Sequence, residues 1–595
     1  MLEVIAISMP NLPSLGAGGK TSACAPSYRP NANISLVFFR DSSAKPHHYT
    51  LSVKWAGLFL CIFFVAAGIA TLPLIGIEDD EALFGQGNFP PRWELYAVRI
   101  FHKPVPLMHL SYLGALKSWV WAPVFKLFGT SLWTLRLPAL LITAASIWLF
   151  YVLMERVFGG RAAVIGCALL ATDAMYLFTG LYDWGPVALQ HLLMIGGVLL
   201  LVRFHQTRTS AKKTSWPAVA GGFFLFGLAL WDKALAIWML SGMGIAAILT
   251  LPRQIIDALS PTRGGTGWVR GPVVALCAFS LGAFPLIQYN RTHHWETFAG
   301  TFQKDVGNLP AKANVLLASA GGNGMFGWLL LEDSQTANPH EPVGWLPKIS
   351  ASISASAGHP RHHLLTYLFA AALLLAPISG NLRAVLFGLI AMGVAWIQMA
   401  ITANAGWSLH HTLLLWPMPQ LMIGASLAGA SRHLGRAGAP AVGAVAALAA
   451  ISGGLVINEY YATMLRNGPT PGWTDAVLPL AKYLKDTSAK NVICMDWGFV
   501  NGLRVLDGGK LPLATGSVEL SKPEMTAGDR VAVLRMISDS GDVFVVHTKE
   551  FESFHVAQPK LLAFAAENGY RRDMMAVIQD GHGRAAYEVF RFVKQ

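Results

Sequence analysis

Long apolar stretches separated by short polar connections dominate the chain from about residue 54 to residue 458. A helix needs about 20 mostly apolar residues to cross the hydrocarbon core of a bilayer, and most of these stretches approach that length. The pattern therefore predicts an α-helical polytopic membrane protein. Twelve stretches are visible, at 54–77, 107–128, 133–154, 162–181, 184–203, 216–232, 234–252, 271–288, 363–380, 382–403, 411–430 and 439–458.

The basic residues argue against twelve strict crossings. If the N-terminus is cytosolic, the basic loops at 203–213 and 253–270 would face outside, against the cytosolic bias of Lys and Arg. The stretch 107–128 includes Lys117 and Trp121 and has the composition of an amphipathic helix at the membrane interface. If this stretch does not cross, both basic loops move inside. We therefore predict 11 crossings and an interfacial helix in the first outer loop.

Composition supports this assignment and excludes other classes. The chain has 595 residues, of which only 13% are charged, against about 25% in a soluble domain. Its mean hydropathy is +0.45. The net charge of +12 sits in short loops, a pattern that fits anionic lipid and predicts no nucleic-acid partner. The 5 cysteines are far apart and form no CxxC pair, so neither a disulfide framework nor a zinc site is predicted.

Three regions follow from the pattern. Residues 1–53 read as a cytosolic tail, and residues 54–460 as a transmembrane domain with outer loops at 78–132 and 289–361. Residues 470–595 lose the long apolar stretches and read as a small soluble α/β or α+β domain outside the membrane. Its predicted elements are a helix over 474–487, strands over 491–495 and 542–547, a helix over 558–568, and strands over 572–579 and 585–593.

The first outer loop holds the densest group of charges. Glu78, Asp79, Asp80 and Glu81 directly follow the first apolar stretch, and one interpretation is a solvated loop that ends a helix. The other interpretation is chemical, because a carboxylate next to the membrane can take a proton from an acceptor. Further along the loop stand three basic side chains that can neutralise a phosphate, namely Arg92, His102 and Lys103.

Four motifs in this part of the chain resemble a known family. They are Asp80-Glu81-Ala82, Lys103-Pro104-Val105-Pro106-Leu107, Lys126-Leu127-Phe128-Gly129 and Leu135-Arg136-Leu137-Pro138-Ala139-Leu140. In this order they resemble the opening of polyprenyl-phosphate-sugar-dependent integral-membrane glycosyltransferases. That family includes protein O-mannosyltransferases and the aminoarabinose transferases of lipid A, and its fold is the C-type glycosyltransferase superfold. The resemblance covers roughly residues 54–300.

The resemblance implies a site and a reaction. Family members take sugars from polyprenyl-phosphate carriers on the outer or lumenal face and invert the anomeric centre. Asp80 matches the position of the catalytic carboxylate, with Glu81 as a secondary candidate beside it. Lys103 matches a lysine close to the donor phosphate, where Arg92 and His102 would assist.

Other candidates stand at junctions between apolar stretches. Asp183 matches a family aspartate that helps to form the site, although a helix N-cap explains it equally. Lys233, next to Asp232, is either a donor-phosphate ligand or part of a buried ion pair. His410 and His411 are either carrier-phosphate ligands or interfacial anchors. The family leaves a divalent cation open, Mg²⁺ or Mn²⁺, for which Asp80 and Asp183 would be the best pair.

The sequence as a whole therefore predicts a glycosyltransferase. A hexosyl or pentosyl group would pass from a polyprenyl-phosphate carrier to a lipid, glycan or protein acceptor on the non-cytosolic face, with Asp80 as general base. The setting would be a bacterial inner membrane with the C-terminal domain in the periplasm. Two alternatives remain, namely a transporter or flippase for a lipid-linked intermediate, and a non-catalytic scaffold. A transporter would predict an internal repeat and charges midway along helices, and neither is evident.

The predicted topology can be tested by cysteine labelling in a variant that lacks the native cysteines. Cysteines at positions 210 and 265 should resist an impermeant thiol reagent in intact cells, because both loops are predicted to be cytosolic. A cysteine at position 340 should react. Labelling of position 210 from outside would refute the arrangement of 11 crossings.

Overall fold

The structure is a computed structural model that describes residues 51–595 except 90–94, 212–214, 260–266, 337–338 and 554. Residues 1–50 of the predicted cytosolic tail, Arg92 and short parts of the two basic loops, 212–213 and 260–266, lie outside the described residues. All described residues belong to one compact unit, so the predicted limits of the transmembrane and C-terminal domains stay predictions.

The first outer loop is more ordered than its sequence indicated. A short helix follows the first apolar helix, and a three-stranded antiparallel sheet in the order β1-β2-β3 precedes the next helix. A two-residue turn, Phe101-His102, joins β1 to β2, and both residues have positive φ. The elements are α1 (Leu51–Thr71), α2 (Asp79–Gln86), β1 (Tyr96–Ile100), β2 (Lys103–Leu110), β3 (Leu113–Gly114) and α3 (Leu116–Phe128).

The prediction of an interfacial helix over 107–128 is wrong for residues 107–115. The helix begins at Leu116, because the preceding residues form β2 and β3, and Leu113 pairs with Lys233 in an isolated bridge. Long-range backbone pairing of this kind cannot be read from a periodic pattern. The face of α3 that includes Lys117, Ser118 and Trp121 is buried, while apolar residues such as Phe128 are exposed.

A bundle of helices makes up most of the remaining chain. The helices are α4 (Leu132–Phe158), α5 (Gly160–Ala171), α6 (Ala174–Tyr182), α7 (Val187–Ala211), α8 (Trp216–Asp232), α9 (Ala236–Thr250), α10 (Pro252–Leu259), α11 (Gly267–Gly282), α12 (Phe284–Thr292), α13 (Leu309–Gly321), α14 (Trp345–Ser356), α15 (Leu365–Leu375), α16 (Leu382–Ala400), α17 (Leu409–Thr412), α18 (Met418–Ala430) and α19 (Gly438–Asn467). The long helix α4 contacts α1, α5 and α7, and large side chains such as Phe64 and Tyr151 fill the core between them.

Several of these helices have the length and composition of membrane spans. Within the described part of the chain, 4 helices are long and apolar enough to cross a bilayer, or up to 7 if each bent pair counts as one span. Three shorter apolar helices lie at Trp55–Thr71, Trp216–Asp232 and Leu365–Ile378. The structure therefore supports a membrane protein, and the predicted number of 11 crossings stays a prediction.

The last part of the chain forms a mixed sheet of 5 strands in the order β5-β4-β6-β8-β7. The strands β5, β4 and β6 are parallel, and β8 pairs antiparallel with both β6 and β7. The sequence pattern missed α21, β5 and α22, which are short or only weakly periodic. The elements are α20 (Val477–Lys485), β4 (Asn491–Cys494), α21 (Val500–Asp507), β5 (Leu513–Thr515), α22 (Ala527–Ser538), β6 (Asp542–His547), α23 (Ala557–Glu567), β7 (Tyr570–Gln579) and β8 (Ala585–Lys594).

Specific contacts join this sheet region to the first outer loop. The backbone N–H and the side-chain amide of Asn501 donate to the two carboxylate oxygens of Asp79, at 3.1 and 2.8 Å. Arg504 donates to Gln86 at 2.9 Å, so α21 lies along α2. Gly76 must be a glycine, because a Cβ there would lie 1.8 Å from the carbonyl oxygen of Thr474.

A buried ion pair fixes the connection between α1 and α2. Arg136 on α4 donates from Nε and Nη2 to the carboxylate of Glu81, at 2.6 and 2.7 Å. The same guanidinium donates to the carbonyl oxygens of Leu72, Ile75 and Gly76. Both charged side chains are at most 1% exposed. The chain that leads from α1 into α2 is therefore held by one cation.

Replacement of Arg136 by Leu should lower the free energy of unfolding by about 3–5 kcal/mol, because Glu81 would remain buried without its partner. Denaturant titration of the purified protein in detergent micelles would measure the change. The control is Arg99→Leu on the exposed end of β1, which should change the stability by less than about 0.5 kcal/mol. Equal stability of the two variants would show that the buried pair does not hold this region.

Candidate active site

The four consecutive acids after α1 divide into three with partners in the fold and one that is exposed. Glu78 is the N-cap of α2, and its carboxylate accepts from the backbone N–H groups of Asp80 and Glu81, at 2.8 and 3.1 Å. Asp79 binds Asn501, and Glu81 binds Arg136. The secondary candidate Glu81 therefore has a structural partner, and its carboxylate is not free to act as a base.

Asp80 is the exposed member of this group. It occupies a recess, since surrounding protein still raises the pKa of its carboxyl by desolvation, while the nearby charge of Lys233 lowers it. Asp80 in turn raises the pKa of Tyr112, in addition to the larger effect of burial on that phenol. An accessible carboxylate with a raised pKa is suited to proton transfer.

Asp183 lies between α6 and α7 and serves both as a helix cap and as part of an ion pair. Its Oδ1 accepts from the backbone N–H groups of Val187 and Ala188, at 2.8 and 3.0 Å, which is the capping role that the sequence allowed. Its Oδ2 lies 2.8 Å from Nζ of Lys117, and both side chains are at most 2% exposed. Lys117 also donates to the carbonyl oxygen of Asp183 at 2.8 Å.

Lys233 lies in the turn between α8 and α9 and is completely buried. Its Nζ donates to the carbonyl oxygen of Gly185 at 2.8 Å, and it forms no ion pair with a carboxylate among the described residues. Burial lowers the pKa of its ammonium group from 10.5 to about 7, although Asp183, Asp232 and Asp80 each raise it. A buried ammonium that has a carbonyl oxygen but no described carboxylate as its partner is able to receive an anionic group of a ligand.

The two histidines stand on the other side of Lys233. The ring of His410 packs edge-on against Trp184, with centroids 5.6 Å apart, and a side chain at Gly185 would collide with that ring. Nδ1 of His410 is within 2.9 Å of the Ser408 hydroxyl. His411 is buried, and its Nδ1 has no hydrogen-bond partner among the described residues.

The structure thus brings Asp80, Asp183, Lys233 and His410 into one cluster, here called the outer cluster. The basic residues of the first outer loop are not part of this cluster. Lys103 and His102 are exposed at the tip of the β1–β2 hairpin, and neither forms an ion pair with a described carboxylate. Arg92 lies outside the described residues. Their role at a phosphate stays a prediction.

The outer cluster does not fit the cation that the sequence left open. Both carboxylate oxygens of Asp183 are already engaged, one by the N-terminus of α7 and the other by Lys117. A hard cation needs several oxygen ligands, so Asp183 cannot join Asp80 in holding Mg²⁺ or Mn²⁺ in this arrangement. No group of three or more His, Cys, Asp or Glu side chains within the described part of the chain could hold a metal ion.

Comparison with known proteins bears on the fold. A model of the family "Dolichyl-phosphate-mannose-protein mannosyltransferase" matches residues 114–279, which run from β3 to α11. The solved structure of ArnT from Cupriavidus metallidurans bound to undecaprenyl phosphate matches with a TM-score of 0.54 and 13% identity, covering 90% of this chain and 98% of that one. The predicted resemblance is confirmed.

The apo structure of the same ArnT supports the same conclusion about the fold. It matches with a TM-score of 0.52 and 14% identity over the same shares of the two chains, 90% and 98%. None of the curated proteins compared with the chain matches it. The matched family region begins at residue 114, so it includes Lys117, Asp183 and Lys233 but not Asp80. The chain therefore shares the fold of the polyprenyl-phosphate-dependent membrane glycosyltransferases.

Sequence reasoning missed two residues of the site. Lys117 was assigned to the membrane interface, whereas it is the buried partner of Asp183. Tyr112 lies close to Asp80 and was not singled out. The signal for Lys117 was its place on the same helical face as Ser118, Trp121 and Phe125, all of which are buried.

Proposed function

We propose that this protein is a glycosyltransferase that moves a sugar from a polyprenyl-phosphate carrier to an acceptor on the non-cytosolic face of the membrane. The observation that carries the proposal is that an exposed carboxylate, Asp80, lies near a buried ammonium, Lys233. That ammonium forms no ion pair with a carboxylate among the described residues. The shared fold with ArnT, which was solved bound to undecaprenyl phosphate, supports a lipid-phosphate carrier.

The proposed reaction uses the two charges for different halves of the transfer. The carboxylate of Asp80 takes the proton from the acceptor hydroxyl or amine. At the same time the acceptor oxygen or nitrogen forms a bond to the anomeric carbon of the sugar. The bond between the anomeric carbon and the carrier phosphate breaks, and the phosphate leaves with the electron pair. Lys233 stabilises the charge that develops on this phosphate. The configuration at the anomeric carbon is inverted.

The other residues of the outer cluster have supporting roles in this proposal. Lys117 neutralises Asp183 and so keeps that carboxylate from repelling the phosphate. His410, which packs beside Gly185, and its neighbour His411 lie next to the lysine that would bind the phosphate. We propose Lys103, His102 and Arg92 as donor-phosphate contacts from the loop above, and a bacterial inner membrane with the C-terminal region in the periplasm as the setting.

The direct test replaces Asp80 by Asn and measures transfer of radiolabelled sugar from a polyprenyl-phosphate donor into acceptor fractions. Loss of a general base should lower the rate by about 10²- to 10⁴-fold. The matched control is Asp573→Asn on the exposed face of β7, which should transfer sugar at the wild-type rate. Wild-type transfer by a folded, membrane-inserted Asp80→Asn variant would overturn the proposed role of Asp80.

Lys233 gives a second test through the pH dependence of kcat/KM for the donor. The free enzyme holds the Lys233 ammonium with a pKa of about 7, so the charged form that binds phosphate is lost as the pH rises through that value. The rate constant kcat/KM should therefore fall above about pH 7. At low pH it should fall as well, because the raised pKa of Asp80 leaves the base protonated.

The variant Lys233→Arg separates the two limbs of this profile. A guanidinium stays charged across the accessible pH range, so the alkaline limb should disappear from the residual activity while the acid limb remains. Lys485→Arg on α20 is the control, because that ammonium is half exposed and should leave the profile unchanged. An alkaline limb that persists in Lys233→Arg would assign it to another group.

A further inference from the structure

The parallel strands of the C-terminal sheet have a topological switch point at their carboxyl ends, where open α/β sheets form a crevice. The chain leaves β4 through α21 to reach β5 on one side, and it leaves β6 on the other side towards α23. The carboxyl ends of β4 and β6 are therefore adjacent, while their connections diverge. In open α/β sheets this is the place where ligands bind, because the diverging loops leave a gap.

A buried pair of titratable side chains stands at this place. Asp496 follows β4, His547 ends β6, and Nδ1 of His547 lies 2.7 Å from Oδ2 of Asp496. The carboxylate also accepts from the backbone N–H groups of Ser553 at 2.8 Å and Trp497 at 2.9 Å. An acid that accepts these bonds requires a proton on Nδ1 of the histidine, which leaves Nε2 as the available ring nitrogen.

Nε2 of His547 has no hydrogen-bond partner in the part of the chain that the structure describes. The side chain is only 5% exposed, and no described residue forms a hydrogen bond with that nitrogen. The ring is held by Tyr587, which stacks on it with centroids 4.8 Å apart, and by Phe499, which meets it edge-on at 4.9 Å. A polar atom held this rigidly and left without a partner is suited to a ligand.

The space beside the ring is open. Gly498 has a φ of +105°, and a Cβ built there would meet one atom within 4 Å, namely Cε1 of His547 at 3.9 Å. The neighbouring indole of Trp497 is 43% exposed. A hydrogen-bonding nitrogen and an exposed indole thus flank a gap that no side chain of the described residues fills. This combination suits a small ligand that has both a hydroxyl group and an apolar face.

The charges around the crevice disfavour an anion. Burial raises the pKa of Tyr587, and the nearby Cys494, Asp496, Asp79 and Asp475 raise it further. Arg504 is the cation of this neighbourhood, and its Nη1 already donates to Gln86. The acids outnumber this one cation, so the local field favours an uncharged or cationic ligand over a phosphate or carboxylate.

The crevice lies close to Asp80. Asn501, which binds Asp79, is four residues after Trp497, and four residues of chain span at most about 14 Å. Asp79 directly precedes Asp80. The crevice and the exposed carboxylate therefore lie in the same part of the molecule, joined through the contact between Asn501 and Asp79.

We propose that the crevice formed by Asp496, Trp497, Gly498 and His547 binds an uncharged sugar residue of the acceptor. This inference rests on the proposed function, because it makes the acceptor a glycan or a glycan-bearing molecule. Nε2 of His547 hydrogen-bonds a sugar hydroxyl, and the indole of Trp497 covers the apolar face of the ring.

Saturation-transfer difference NMR on the full chain in detergent micelles tests the proposal with defined probes. The probes are the methyl glycosides of mannose, glucose, galactose and arabinose, together with methyl mannoside 6-phosphate. At least one neutral glycoside should receive saturation, and the phosphorylated probe should receive less than its neutral parent. Absence of saturation in all four neutral probes would overturn the proposal.

Two variants locate the binding. Trp497→Ala should weaken the glycoside about tenfold in a titration, because it removes the stacking surface. His547→Gln removes the ring nitrogen and should weaken it too, with thermal unfolding as the check that the sheet remains folded. Trp345→Ala, at an indole that is 74% exposed on α14, is the matched control and should bind as the wild type does. Unchanged affinity in Trp497→Ala and in folded His547→Gln would overturn the proposal.

Failure of the proposed function can be told apart from failure of this site. Asp80→Asn should still bind the glycoside, because Asp80 is outside the crevice. If Asp80→Asn transfers sugar normally while Trp497→Ala loses the glycoside, the mechanism is wrong and the sugar site stands. If Asp80→Asn loses transfer while Trp497→Ala binds normally, the crevice is not a sugar site and the mechanism stands.

Discussion

The connection between α1 and α2, which presents Asp80, depends on one buried cation. Arg136 has two bonds to Glu81 and three to carbonyl oxygens at the end of α1, so the guanidinium has no need of water. Successive residues of an α-helix point about 100° apart, so turning Glu81 inward onto Arg136 turns Asp80 away from it. The exposure of Asp80 is therefore a consequence of the burial of its neighbour. The carboxylate that we propose as the base is thus presented by a helix that an ion pair holds in place.

The outer cluster shows how a site of this kind balances its charges. Lys117 and Asp183 form a closed pair whose remaining oxygen caps α7, so neither charge is available to a ligand. Lys233 is buried beside them, and its ammonium group has only a carbonyl oxygen as its partner among the described residues. Its burial costs stability and lowers its pKa. A protein keeps such a group where its charge is used, and an arriving phosphate would supply the missing anion. Lys117 has a carboxylate partner and belongs to a structural ion pair. Lys233 has no described carboxylate partner and is the proposed phosphate-binding group.

Much of this arrangement follows from local sequence, and the rest depends on contacts between distant residues. Strand and helix periodicity gave β4 and β6 nearly to the residue, because their apolar positions are continuous and short. The charges of the loops and the resemblance of the motifs predict that Asp80, Asp183 and Lys233 lie on one side of the membrane. The β1–β3 sheet escaped notice because its apolar residues continue into α3 and were read as one helical stretch, although the strands pair locally with one another. Lys117 was misplaced because a lysine followed closely by tryptophans is typical of an interface, and only the tertiary fold shows that its partner is Asp183.

The run of acids after α1 can be understood only with the C-terminal sheet in view. Asp79 has no hydrogen-bond partner among the described residues of its own loop, and its two oxygens are satisfied by Asn501 at the start of α21. Burial raises the pKa of Asp79 to about 6, so this contact is strongest when the carboxyl is ionised and able to accept both bonds. The sheet region is thus attached to the helix that presents Asp80, and the attachment point, Asp79, is the residue directly before Asp80. Of four consecutive acids, one caps the helix, one attaches the sheet, one binds Arg136 and one is left exposed to react. The C-terminal region therefore belongs to the construction of the site, because it buries the neighbour of the only acid in the run that remains accessible.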